Sequence, residues 1–254
     1  MPPVFTGVGV ALVTLFDDAG ELDAPATAAL AAKLVDAGVQ AVVVAGSTGE
    51  ATTLTAEERI ALLGSVRTEL AGTVPVIAGT GAPSARQAAV LTHHAVAHGA
   101  DAALVLSPPR SSDLSGYYGT VVAAAGGTPV LAYHYPNASA PGIPVEVLGT
   151  LPGIAGLKDS SGEPERLLLE LTSWDRPIYT GSSALLSFAG SLGCAGAILA
   201  LANVEPERCI EAFAGDADAQ RALTPGHVAA HQAFPLRLKE MVAQRFGTSA
   251  SARL

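Results

Sequence analysis

Three short segments carry the residue types that could do chemistry. They are Gly46-Ser47-Thr48-Gly49-Glu50, then Tyr133-His134-Tyr135-Pro136, then Gly156-Leu157-Lys158-Asp159-Ser160-Ser161-Gly162. Lys158 follows directly on the apolar run Ile154-Ala155-Gly156-Leu157, and a lysine is seldom buried without a reason. Desolvation lowers the pKa of an ammonium, and the freed amine is a nucleophile for a carbonyl carbon. A lysine at this place can equally snorkel to solvent or pair with Asp159. The Tyr133 hydroxyl can relay a proton, or can belong to a core tyrosine bonded to a backbone carbonyl. Pro136 holds Tyr135 extended, which suits a chain leaving a strand. In residues 46–50 two glycines bracket two hydroxyl residues ahead of a helix. The N–H and hydroxyl groups of such a loop can face a carboxylate or a phosphate. An ordinary glycine turn has the same composition.

Other residues offer less. His227 and His231 stand four apart and could share a helix face toward a metal, but no third ligand accompanies them. His93, His94 and His98 read as surface residues, and Trp174 and the Tyr117-Tyr118 pair as packing residues. Cys194 and Cys209 are the only cysteines, with no CxxC and no Cys/His cluster. That argues against a structural zinc and against a disulfide framework, and it suits a reducing, cytoplasmic setting.

A scaffold must bring positions 47, 133 and 158 together. Short β-branched runs alternate with Ala/Leu-rich stretches of helical spacing. The runs at 9–14, 41–45, 74–78, 102–106, 129–133, 153–158, 177–180 and 195–199 predict eight strands. They are apolar without alternation, as in a parallel sheet buried on both faces. Helices are predicted near 24–37, 55–71, 84–98, 114–125, 144–151, 163–172, 183–192 and 205–214. Thr55-Ala56-Glu57-Glu58 reads as a capping box, Ser84 as a further cap, and Gly38, Gly72 and Gly99 as helix stops. Right-handed crossovers repeated eight times favour an α/β fold of the (β/α)8 TIM-barrel kind. An open doubly wound sheet is the alternative, but no GxGxxG follows the first run. The barrel is expected over 1–215, with a short C-terminal helical extension over 216–254. Residues 236–242 suggest one amphipathic helix there, and residues 247–254 suggest a frayed end. In such barrels the catalytic residues sit where strands end, and all three segments lie at those ends.

Composition narrows the function further. Of 254 residues, 49% are hydrophobic and 15% charged, enough apolar material for one large core. The net charge of −9 repels nucleic-acid phosphate, and no Lys/Arg run overrides it. No apolar run reaches the ~18 residues of a membrane helix without Gly, Pro or charge. The apolar N-terminus lacks a preceding basic segment and reads as a first strand rather than a signal peptide.

Taken in order at the ends of strands two, five and six, the three segments resemble the dihydrodipicolinate synthase / N-acetylneuraminate lyase family. The resemblance covers residues 7–206. Gly79-Thr80-Gly81 and Gly193-Cys194-Ala195-Gly196-Ala197-Ile198 fit it too. It implies a class I lyase or aldolase acting on pyruvate or a related 2-oxo acid and an aldehyde. In it Lys158 is the Schiff-base lysine and Tyr133 the proton shuttle. Ser47 and Thr48, on the loop opened by Gly46, hold the oxo-acid carboxylate, with Ser47 also in the relay. Ile198 turns its backbone carbonyl toward the bound acid. The chemistry needs no metal and no organic cofactor, and a homo-oligomer (dimer or tetramer) is implied. Two departures matter. The family's tyrosine after strand four is replaced by Ser107-Pro108-Pro109-Arg110, where Arg110 could bind a substrate carboxylate or be a solvated loop residue. The arginine that follows Tyr-x-x-Pro in the dihydrodipicolinate synthase branch is replaced by Asn137-Ala138-Ser139. The Tyr-x-Tyr-Pro-x-Ala form is more similar to the 2-keto-3-deoxygluconate aldolase branch. A synthase-like condensation, a dehydratase, and a degenerate 2-oxo acid binding protein are the alternatives.

Overall fold

Val, Ala, Ile and Leu fill the segments that become strands, and their side chains are covered on both faces. A computed structural model describes Met1–Leu254. The strands are β1 (Gly7–Ala11), β2 (Ala41–Val44), β3 (Val76–Gly79), β4 (Ala102–Leu106), β5 (Val130–His134), β6 (Gly156–Asp159), β7 (Ile178–Thr180) and β8 (Gly196–Leu199). All pair in parallel in sequence order, and β8 pairs back onto β1, which closes the barrel. Inside it Val43, Ile77, Leu104, Leu131 and Ile198 pack as one cluster with Tyr179. Phe5 plugs the lower end, stacked on Tyr179 at 4.7 Å, and accepts the Tyr179 hydroxyl at its carbonyl.

The helices are α1 (Ala24–Asp36), α2 (Ala56–Leu70), α3 (Ala85–Ala97), α4 (Leu114–Ala124), α5 (Pro164–Ser173), α6 (Leu186–Ser191), α7 (Pro206–Phe213), α8 (Ala217–Ala222), α9 (Thr224–His231) and α10 (Leu236–Phe246). The capping box at α2 is formed. Thr55 Oγ1 accepts the Glu58 N–H at 3.2 Å, and Glu58 accepts the Thr55 N–H at 2.8 Å. Ser84 caps α3 by accepting the Gln87 N–H at 3.3 Å. The Tyr117-Tyr118 pair packs edge to face, and Trp174 lies against the same cluster. His93, His94 and His98 are exposed on or just after α3. No helix is long and apolar enough to cross a membrane.

Four expectations change. The first strand is Gly7–Ala11, because the apolar run beyond it leaves the sheet: Val13 donates its N–H to Asn203 Oδ1 and Leu15 donates to Thr27 Oγ1. Residues 145–150 form a 3-10 helix in place of an α-helix. That segment has two β-branched valines and Gly149, all poor helix formers. The tail holds three helices, α8 to α10, because Asp216 caps α8 and Pro225 opens α9. The end is not frayed. Residues 248–253 are partly buried, and Arg253 pairs with Glu58 at 2.7 Å. Leu223, Ala230, Leu238 and Val242 join the same apolar cluster as β1, β2 and α1, so the tail packs on the barrel wall.

Candidate active site

Register decides who meets whom at the barrel mouth. Tyr133 on β5 lies opposite Lys158 on β6. Both point to the same side, and the Lys158 Nζ sits 4.3 Å from the centroid of the Tyr133 ring. Lys158 is 5% exposed. Burial lowers its ammonium from the ordinary 10.5 to about 7, so a neutral amine is accessible near neutrality. Asp159 does not pair with it. Successive strand residues face opposite sides, and the Asp159 carboxylate accepts the Ser161 N–H at 2.8 Å and its hydroxyl at 2.9 Å. Behind it stand Arg166 at 3.8 Å and His134 at 4.0 Å. His134 Nδ1 accepts the Ile143 N–H, and burial lowers its pKa to about 4, which keeps the ring neutral.

Burial raises the Tyr133 hydroxyl above its ordinary value, while the Ser160 and Ser47 hydroxyls nearby work the other way. That arrangement holds the phenol protonated and gives it two hydroxyl neighbours for proton exchange. Tyr135 stacks on Tyr133, with centroids 5.9 Å apart.

The loop after β2 folds into a tight turn. Gly49, Glu50 and Ala51 donate their N–H groups back to the carbonyls of Gly46, Ser47 and Gly46 in turn. Ala45 and Glu50 at its two ends take positive φ, 52° and 54°. Arg59 donates to the carbonyls of Gly79 and Ala51 and so ties the turn to β3. A Cβ at Gly79 would sit 2.1 Å from the Ala45 carbonyl oxygen, so only glycine lets β3 run this close. Ser47 and Thr48 are left facing a cavity of about 500 Å³ that Lys158, Tyr133 and Ile198 also line. A buried amine, a protonated phenol and a hydroxyl-bearing turn thus meet at one mouth. The model of the dihydrodipicolinate synthetase family matches residues 4–250.

The chain belongs to the dihydrodipicolinate synthetase family. It is 39% identical over 227 residues to an uncharacterized DapA-like lyase of Halobacterium salinarum, covering 85% of this chain and 75% of that one. It is 36% identical over 244 residues to the 4-hydroxy-tetrahydrodipicolinate synthase of Pseudomonas aeruginosa, covering 91% and 83%. A prophage protein of E. coli K12 in this family, solved in complex with pyruvate, superposes with a TM-score of 0.91 at 27% identity, covering 98% of this chain and 92% of that one.

Of the expected residues, Ser47, Thr48, Tyr133, Lys158 and Ile198 converge on the one cavity of this family member. Gly46 lies beside it, in a mostly apolar recess of about 300 Å³ that reaches Leu104 and Leu106. Arg110 is not brought there. It is exposed after β4 with φ 55°, its N–H donates to the Ala140 carbonyl, and its side chain lines neither space.

Several further residues line the cavity. Ser160 follows β6 inside the lysine motif, and Ser182 and Ser183 follow β7 at a strand end, where the barrel rule alone could have found them. His227, His231 and Phe234 come from the tail and close the mouth from outside. His227 Nδ1 is 2.8 Å from Ser183 Oγ, and the two imidazoles lie 4.4 Å apart. Phe234 carries no local signal, and the spacing of His227 and His231 suggests only a shared helix face; the return of the tail over the barrel brings all three in.

Proposed function

We propose that this chain is a class I aldolase or lyase. Lys158 forms a Schiff base with pyruvate or a related 2-oxo acid, and a carbon–carbon bond to an aldehyde is then made or broken. The observation that carries this is the buried Lys158 amine beside Tyr133 at the cavity shared with Ser47 and Thr48. The neutral amine attacks the C2 carbonyl, and loss of water leaves an iminium. Loss of a C3 proton gives an enamine, which attacks the aldehyde carbon, and hydrolysis returns the amine. The reverse sequence cleaves. The Tyr133 hydroxyl carries the protons, with Ser47 as its neighbour. Ser47 and Thr48 take the carboxylate, and the Ile198 carbonyl faces the bound acid.

A 2-keto-3-deoxy sugar acid is the favoured substrate type. The cavity lining holds serines, Asn137 and two histidines and no arginine, which suits hydroxyl groups on the aldehyde better than a second carboxylate. The synthase activity for which the Pseudomonas relative is named favours a second reading, a synthase-like condensation. An aldehyde panel separates the two: turnover with a polyhydroxylated aldehyde and none with a carboxylated one supports the first. A homo-oligomer is part of the proposal, and sedimentation tests it.

The test of the chemistry is reductive trapping. Incubation with pyruvate and borohydride should add one reduced pyruvate to the Lys158 peptide and nothing to Lys158→Ala. A folded wild type that traps no 2-oxo acid would instead be the non-catalytic member, which the missing tyrosine at residues 107–110 favours.

A further inference from the structure

Glu50 ends the turn that carries Ser47 and Thr48, and its carboxylate is spoken for by the C-terminal tail. The side chain is 1% exposed. Its Oε1 accepts the Lys239 ammonium of α10 at 2.7 Å. Its Oε2 accepts the backbone N–H of Arg253 at 2.7 Å and of Leu254 at 3.0 Å. Lys239 is fully buried, with its Nζ 4.4 Å from the centroid of the Phe16 ring. The Arg253 guanidinium lies over the same ring at 4.3 Å, and donates to the Glu58 carboxylate and to the Gly20 and Thr53 carbonyls.

A buried ion pair is weak evidence for net stability, because desolvation offsets the attraction. What it supplies is direction. An apolar pair could fill the same space, but it would not hold Glu50 in a left-handed conformation that a residue with a Cβ disfavours. Glu50 donates its own N–H to the Ser47 carbonyl, so its backbone sets the peptide that precedes Thr48. The carboxylate also anchors the tail that closes the cavity from outside.

We propose that Glu50 and Lys239 are positioning residues: the α10 ammonium, through the Glu50 carboxylate, sets the Ser47-Thr48 turn in the geometry that receives the carboxylate of the 2-oxo acid. The inference rests on the function proposed above. It makes the tail part of substrate binding, although neither residue of the pair lines the cavity.

The test follows the pyruvate concentration for half-maximal borohydride trapping, together with KM, kcat and the melting temperature. Lys239→Met removes the ammonium at similar length. Glu50→Gln keeps the shape and breaks the pair from the other side, and serves if the first variant does not fold. In either, half-saturation and KM should rise about tenfold or more, with kcat at saturation within about twofold and the adduct still on Lys158. Val242→Ala, buried on the same helix, controls for loosening: it should lower the melting temperature and leave half-saturation unchanged. Unchanged half-saturation in a folded pair variant overturns the proposal, as does an equal rise in Val242→Ala. A wild type that traps pyruvate while the pair variants match it sinks this inference alone. A wild type that traps no 2-oxo acid sinks the proposed function and this inference with it.

Discussion

At Lys158 the reacting form is the neutral amine, and burial brings its pKa to about 7. The rate of imine formation at low pyruvate should therefore rise with pH and reach half its plateau near 7, well below the midpoint of an ordinary lysine. Stopped trapping across a pH series measures this, and a midpoint near the ordinary 10.5 would refute the environment described. The same shift bears on stability. Above about 7 the folded state has released a proton that the unfolded chain holds up to its ordinary value of 10.5. The unfolded state binds more protons in that window, so this group's contribution to stability rises with pH from about 7 to 10.5. Lys158→Met should abolish trapping and stabilise the protein below about pH 7 by about 1–2 kcal/mol in urea titrations. Tyr133→Phe should still form the adduct but lose about 10²–10⁴ in turnover, as for a lost acid–base group. The placement of Lys158 and Tyr133 was legible in the sequence, Lys158 because a charged side chain after an apolar run at a strand end is costly and Tyr133 because it stands where a predicted strand ends. Arg110 was not, because its place in a loop gave no sign that its backbone is pinned to Ala140 and its side chain turned out.

Elements matter here through where they stop. Thr55 and Glu58 start α2 just after the Ser47-Thr48 turn. Thr55→Ala should cost about 1 kcal/mol in chemical denaturation, as for a lost N-cap. Glu58→Ala should cost more than Thr55→Ala, since it removes one half of the box and the Arg253 partner together. At the end of β3, Gly79→Ala should cost about 1–3 kcal/mol by forcing β3 off the Ala45 carbonyl. It should also weaken pyruvate trapping, because the turn that moves carries Ser47. Most elements were readable from hydrophobic period and caps. The segment 145–150 was not, because its apolar spacing suits a helix while its valines and glycine favour the tighter turn it forms. The short helices α8 and α9 were hidden for a different reason: they lie beyond the eight strand–helix units, so no alternation marked them.

Across the whole molecule, tail and barrel share one apolar cluster, in which Leu238 packs with residues of β1 and α1. Leu238→Ala should cost about 2–5 kcal/mol. Trp174 lies at the end of α5, outside that cluster, so it reports on the barrel independently. Its fluorescence and far-UV dichroism should still report one coincident transition, and a separate early transition in dichroism would mean that residues 216–254 unfold alone. The barrel was legible as eight repeated units. The closing of its mouth by His227 and Phe234 was not, because it depends on long-range packing that no short window contains.

The chain has only three lysines. One, Lys33, is solvated on α1, and a second, Lys239, is locked in an ion pair. The third, with its pKa at about 7, presents a neutral fraction of its amine to a cavity at neutral pH. Among the lysine side chains, a mild acylating reagent at about pH 7 therefore meets a single reactive amine. The protein can be labelled at its proposed reaction centre without engineering.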